Sequence, residues 1–266
     1  MSVVIVIPAR YASSRYPGKP LVTLRGATGV DRTLIERSWR AACAVSGVDR
    51  VVVATDDTRI KAAAQGFGAE VVMTSENCAN GTERCADALD RLDTTHNIVV
   101  NLQGDAPLTP VWFIEDLIAG IRSAPDAELT TPVLRCDGAT LARLLADRKA
   151  GRVGGTTAVF DGSGSALYFS KEVVPFTSES YPADTPTPVF LHVGVYAYRP
   201  ETLRAYPGWQ SGPLEYLEGL EQLRFLENGK RVLCIEVEAR GRMFWELNNP
   251  EDVPKIEAMM QSMDTA

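Results

Sequence analysis

Val3-Val4-Ile5-Val6-Ile7 runs straight into Pro8-Ala9-Arg10-Tyr11-Ala12-Ser13-Ser14-Arg15-Tyr16-Pro17-Gly18-Lys19, and this stretch decides the fold. Five consecutive β-branched apolar residues leave neither face for water. The run therefore predicts a buried strand of the kind found inside parallel sheets. The polar segment after it holds three cations (Arg10, Arg15, Lys19), the hydroxyls of Ser13 and Ser14, and no acid. Such a loop can wrap a phosphate chain: backbone N–H groups bind its oxygens while Arg and Lys neutralise its charge. Gly18 allows the backbone to come close. Neither GxxxxGK[ST] nor, after the first strand, GxGxxG occurs, which counts against P-loop hydrolases and dinucleotide-dependent dehydrogenases.

Working outward, apolar runs and helical spacings alternate. Strands are predicted at 50–55, 70–74 and 97–102, and helices at 33–45 (capped by Thr33), 58–66, 82–92 and after Pro110. Strand–helix alternation with doubly apolar strands implies a mostly parallel twisted sheet with helices on both faces. Ligands bind such sheets beyond the carboxyl ends of the strands. Three polar segments fall there: 8–19, Thr55-Asp56-Asp57 and Gln103-Gly104-Asp105. The second half reads as more mixed, with strands at 157–160, 166–169, 192–198 and 232–238 and a proline-rich connector at 181–188. A helix is expected over 213–228 with Leu214, Leu217, Leu220, Leu223 and Phe225 inward, and a last helix from Pro250. No linker divides the chain. One domain over 1–266 is expected, with an inserted subregion around 150–212.

Composition bounds the function. The chain has 266 residues, 45% apolar and 23% charged, which suits a globular protein and not a disordered one. No apolar run approaches the roughly 18 residues of a membrane span, and the early cations follow the first apolar run instead of preceding it. No membrane association and a cytoplasmic location are expected. The five cysteines are scattered without a C-x-x-C pair, and only two histidines are present, so a zinc site is not expected. Net charge is −7, which disfavours nucleic acid as a partner. Residues 1–40 nevertheless carry +5 and the remainder −12, a pattern suited to a small polyanion. Asp105, closing the fourth strand, is the best carboxylate for Mg2+, a cation that takes oxygen ligands and keeps several waters.

The segments PARYASSRYPGKPL, ATDD, NGTER, LQGDAPL, ALYFSK, HVGVYAY and LEGLEQLR, in this order, closely resemble the 3-deoxy-manno-octulosonate (Kdo) cytidylyltransferases, from about residue 3 to about residue 258. The resemblance implies a nucleotide-diphospho-sugar transferase-like α/β fold, usually as a homodimer. It implies transfer of CMP from CTP to the anomeric hydroxyl of Kdo, with release of pyrophosphate, for lipopolysaccharide assembly. Carried over by position, Arg10, Ser13, Ser14, Arg15 and Lys19 would hold the CTP phosphates. Arg10, Lys19 and Asp105 would be catalytic. Asn80 and Gly81 would lie near the cytosine. Gln103, His192, Tyr196, Glu221 and Gln222 would serve the sugar acid, and Asp105 and Asn248 would bind Mg2+.

Asn248 stands where the family usually has an Asp, and an amide oxygen can ligate Mg2+ without bringing charge. Glu246, two residues earlier, could share its face and compensate. Ala106 replaces an acid in the family's QGDEP, Thr157 replaces a usual Lys, and the loop from Arg25 to Arg32 is longer. These departures keep open another 2-keto sugar acid as acceptor, or a non-catalytic nucleotide-sugar-binding paralogue. A transferase acting on a sugar 1-phosphate would need a second concentrated cationic patch, and none is found in the sequence.

Overall fold

The structure, a computed structural model, describes residues 2–13, 15–92, 95–242 and 245–262. Chain order begins with β1 (Val3–Ala9), β2 (Thr23–Arg25), β3 (Asp31–Thr33), α1 (Leu34–Cys43), β4 (Arg50–Thr55), α2 (Thr58–Gly66), β5 (Glu70–Met73), α3 (Gly81–Arg91), β6 (Ile98–Leu102) and α4 (Val111–Ser123). It continues with β7 (Leu129–Asp137), α5 (Gly138–Lys149), β8 (Thr157–Phe160), β9 (Ala166–Ser170), β10 (Pro186–His192), β11 (Val195–Tyr198), α6 (Pro200–Ala205), α7 (Pro213–Glu218), α8 (Gln222–Glu227), β12 (Val232–Glu236) and α9 (Val253–Ser262).

Two compact units emerge. The first comprises Met1–Glu115, Tyr198–Arg204 and Ala239–Ala266; the second comprises Asp116–Ala197 and Ala205–Glu238. The first unit is built on the parallel sheet β5-β4-β1-β6. All seven residues of β1 are buried because it lies between β4 and β6, as its uninterrupted apolar run predicts. Since the strands are parallel, the carboxyl ends of β1, β4 and β6 share one edge, and the segments at 8–19, 55–57 and 103–105 leave from it. Thr33 caps α1 as expected, its hydroxyl accepting from the Glu36 N–H at 3.3 Å. Residues 26–30 form the tip of the β2–β3 hairpin, with Arg25 paired to Asp31 and Arg32 to Leu24. Leu24, Leu34, Leu108, Leu247, Ile256 and Met260 pack into one apolar cluster, which ties the segment around Asn248 to the same unit as β1.

The second unit has the order β11-β7-β10-β8-β9, with β12 also on β7. Its pairs β7–β10, β10–β8 and β8–β9 are antiparallel, whereas β12 runs parallel to β7. The mixed character expected of the second half is observed, and the α/β class with it. Residues 150–197 and 205–212 belong to this unit. Thr157 is fully buried, and its hydroxyl donates to the Glu172 carbonyl (2.6 Å) and accepts from the Val174 N–H (3.1 Å). A lysine there would have to bury its ammonium.

Some elements differ from the sequence expectation. The helix expected over 213–228 is two, α7 and α8, because Gly219 adopts a left-handed backbone (φ 61°) that ends α7. Leu214 and Leu217 are therefore exposed, at 38% and 76%, instead of facing inward, while Leu223 and Phe225 are buried. The strand expected over 192–198 is broken where the Val195 N–H donates to the Val193 carbonyl at 2.7 Å. That tight turn separates β10 from β11. Strand β10 begins at Pro186, inside the expected connector, and β7 and α5 are elements the periodicity did not single out.

Candidate active site

The loop after β1 is closed by its own backbone. The Tyr11 carbonyl accepts from Ser13 and Gly18 N–H groups, both at 2.9 Å. The Arg59 guanidinium lies 3.3 Å from the centre of the Tyr11 ring and is held there by Asp57. These contacts fix the loop's entry and leave its cations at the sheet edge. No described residue bonds or pairs with the Arg10 side chain, which is exposed. Ser14 lies outside the described residues.

Gly104 brings β6 against the end of β1. A Cβ at this position would lie 2.8 Å from the Pro8 carbonyl oxygen, a distance no side chain can occupy. That approach places Asp105 against Lys19, whose ammonium donates to the Asp105 carboxylate and, at 3.0 Å, to the Leu247 carbonyl. The Asp105 carbonyl in turn accepts from the Leu247 N–H at 2.9 Å. Residues 245–249 are thus stitched to the QGD turn. Arg15 donates to Asn248 Oδ1 at 2.8 Å. Burial, together with the negative charge of Asp105, raises the Glu246 carboxyl to about 7. Asp105, Glu246 and Asn248 therefore share one recess with Lys19 and Arg15. Among the described residues no group of three or more His, Cys, Asp or Glu is arranged to hold a metal.

The NGTER segment lies beside this recess. A Cβ on Gly81 would come within 3.1 Å of the Gln103 amide nitrogen, so the start of α3 and the QGD turn are in contact. Asn80 caps α3, accepting from the Glu83 N–H at 2.8 Å, and the Glu83 carboxylate accepts from the Ala79 N–H at 2.8 Å. The TDD segment has structural partners: Asp57 caps α2, and Asp56 accepts from the buried Arg84 at 2.9 Å. Of the seven cations in residues 1–40, Arg32 and Arg40 pair with Glu36, and Arg37 is buried on the Leu24 and Val30 carbonyls. The local positive charge read from the sequence is therefore partly structural. The cations at the sheet edge are Arg10, Arg15 and Lys19.

The second unit gathers the other expected residues. Tyr196 donates to Gln222 Oε1 at 3.1 Å. The His192 ring packs on Phe169 and Tyr196, with centroids 5.0 and 5.6 Å away. Glu221 precedes α8, and its carbonyl accepts from the Tyr206 hydroxyl at 3.4 Å. Arg224 of α8 and Glu215 of α7 form a buried two-pronged pair at 2.6 and 2.7 Å. Sequence reading missed Thr131, whose hydroxyl lies 2.8 Å from His192 Nε2. A threonine inside a strand carries no motif, so no sequence signal marked it.

An open parallel sheet with a cationic, glycine-shaped loop at its carboxyl edge, facing a carboxylate recess, defines a nucleotide-binding α/β protein. Residues 4–232 match the family described as Cytidylyltransferase. The 3-deoxy-manno-octulosonate cytidylyltransferase of Maricaulis maris (strain MCS10) is 45% identical over 98% of this chain and 97% of its own. That of Zea mays is 41% identical over 97% of this chain and 80% of its own. A solved CMP:2-keto-3-deoxy-manno-octonic acid synthetase complexed with CTP superposes with a TM-score of 0.83 at 31% identity, over 99% of this chain and 100% of that one. The chain belongs to the 3-deoxy-manno-octulosonate cytidylyltransferase family.

Proposed function

We propose that the protein transfers CMP from CTP to the anomeric hydroxyl of Kdo and releases pyrophosphate. The observation that carries this reading is the Lys19, Arg15, Asp105 and Asn248 cluster at the parallel-sheet edge, in a chain matching Kdo cytidylyltransferases end to end. The anomeric oxygen attacks the α-phosphorus and the bond to the β-phosphate oxygen breaks in line. The hydroxyl proton leaves to solvent or to a carboxylate of the site. No covalent bond to the protein forms, so positioning and charge stabilisation dominate. Arg10, Ser13, Ser14, Arg15 and Lys19 hold the triphosphate, and Lys19 and Arg10 offset the charge that grows on the α-phosphoryl and leaving groups. Asn80 and Gly81 serve the cytosine, and Gln103, His192, Tyr196, Glu221 and Gln222 serve the sugar acid.

The oxygens of Asp105, Glu246 and Asn248 suit one Mg2+, and the Glu246 carboxyl, raised by burial and then by the charge of Asp105, is one whose ionisation a cation would favour. Asp105 and Asn248 would hold it, with Glu246 beside them. When bound, Mg2+ lowers the pKa of a ligated hydroxyl and neutralises phosphate charge. Lys19 keeps Asp105 oriented in the meantime.

We also read the protein as a cytoplasmic homodimer. Phe176 and Tyr216, 90% and 82% exposed, are apolar surface that a second copy would cover, and five free thiols suit a reducing compartment. A monomer in sedimentation equilibrium would end the dimer reading. No helix among the described residues is long and apolar enough to cross a membrane.

The deciding experiment measures pyrophosphate release with each of the four nucleoside triphosphates, Mg2+ and a panel of 2-keto sugar acids. CTP with Kdo is expected to give turnover, and Asp105→Ala to abolish its Mg2+-dependent part. No release from CTP with any acid would overturn the reading.

A further inference from the structure

Thr131 lies on β7, fully buried, with its hydroxyl between three groups. The Val195 and Val193 carbonyl oxygens are 3.0 and 3.3 Å away, and His192 Nε2 is 2.8 Å away. A hydroxyl has one hydrogen to give. Two oxygens about 3 Å apart attract only with a hydrogen between them, so the Thr131 hydrogen points at the carbonyls. Its lone pairs then face His192 Nε2, which must be the donor. Burial alone pushes the His192 imidazole down to about 3, so near neutral pH the ring carries a single N–H.

The other ring nitrogen is then an acceptor. Among the described residues no protein group bonds to it. At the far end of the Tyr196 side chain, Gln222 is only 3% exposed; its Oε1 accepts from Tyr196 while its Nε2 is buried without a partner. Buried polar atoms normally find partners, so the orphan amide points to a ligand, and the unused nitrogen of the ring packed on Tyr196 offers that ligand an acceptor. We infer that Thr131 is a positioning residue that locks His192 in the Nε2–H tautomer, so that His192 Nδ1 accepts and Gln222 Nε2 donates to the hydroxyls of a polyhydroxylated substrate. This inference deepens the assignment of His192 and Gln222 to the sugar acid and rests on it.

The chain has only two histidines, so long-range proton–nitrogen NMR of the labelled protein shows two imidazoles, and His96→Gln identifies which is His192. In the free protein His192 is expected as the Nε2–H tautomer. An Nδ1–H tautomer, or a ring protonated at neutral pH, overturns the inference. This spectrum needs no turnover, so it stands even if the proposed reaction fails. Thr131→Val is expected to mix the tautomers and raise KM for the sugar acid about tenfold, equivalent to about 1.4 kcal/mol, with KM for CTP unchanged. Thr131→Ser, which keeps the hydroxyl, should restore both. Equal rises in both KM values, or no rescue by serine, would also overturn it. If Thr131→Val does not fold, the spectrum of the unaltered protein decides alone.

Discussion

Breaking the Glu215–Arg224 pair should loosen α8 and report on the subsite proposed for the sugar acid. Both side chains are below 10% exposed, and two hydrogen bonds of 2.6 and 2.7 Å join them. The guanidinium also lies 4.2 Å from the Tyr206 ring centre, and Tyr206 reaches the Glu221 carbonyl. Removing one partner leaves the other charge desolvated and unpaired, which costs about 3–5 kcal/mol. Arg224→Met belongs near the upper end, because among the described residues the Glu215 carboxylate then keeps only the Tyr206 hydroxyl, at 3.5 Å. Glu215→Gln belongs near the lower end, since its amide oxygen still accepts from the guanidinium. For a chain of this size about 2 °C of Tm is lost per kcal/mol, so drops of about 6–10 °C are expected in thermal unfolding. The double variant removes both charges and should recover at least about 2 kcal/mol relative to the sum of the singles. Because α8 begins at Gln222, KM for the sugar acid should rise in the singles while KM for CTP holds. Single variants that each cost less than about 1 kcal/mol, or a double as damaging as the sum, would refute the reasoning.

Asn248→Asp restores a charged ligand in the recess with Arg15 still beside it, and should lower the Mg2+ concentration for half-maximal turnover about tenfold, about 1.4 kcal/mol of binding; an unchanged Mg2+ titration would remove Asn248 from the metal site. The His192 ring titrates near 3 when folded against 6.5 in an unfolded chain, with burial as the sole cause. Below 6.5 the unfolded chain therefore takes up a proton that the native ring refuses. Its contribution to stability is complete above 6.5 and is lost as pH falls toward 3, at no more than about 1.4 kcal/mol per pH unit. Glu246, raised to about 7, slopes the opposite way, so the His192 share must be read as the difference between the protein and His192→Gln in denaturant titrations. Parallel stability curves for the two between pH 6.5 and about 4 would show that the ring is not desolvated as described.

The parallel half of the fold was legible because its code is local. A strand buried on both faces must be apolar at every position, as Val3–Ile7 is, and a helix must repeat its apolar residues with its own turn. The second unit was harder. Its strands sit beside one another in an order remote from chain order, and Gly219 ends a helix in the middle of an unbroken leucine periodicity. The leucine spacing alone could not distinguish one helix from two, and it assigned Leu214 and Leu217 to the wrong side.

The sequence by itself determined the class: a cationic loop after a buried strand, acids at the ends of neighbouring strands, and motifs in the order of one cytidylyltransferase family. Those properties depend on neighbours in the chain. Tertiary structure alone decided which charges work as a group. Lys19 meets Asp105 across 86 positions, Arg15 meets Asn248 across 233, and Thr131 meets His192 across 61. Tertiary structure also assigned Arg37, Asp56 and Asp57 to structural bonds that their motifs did not reveal. Hydrogen bonds and ion pairs act over about 3 Å, and which side chains come that close is decided by how the sheet packs.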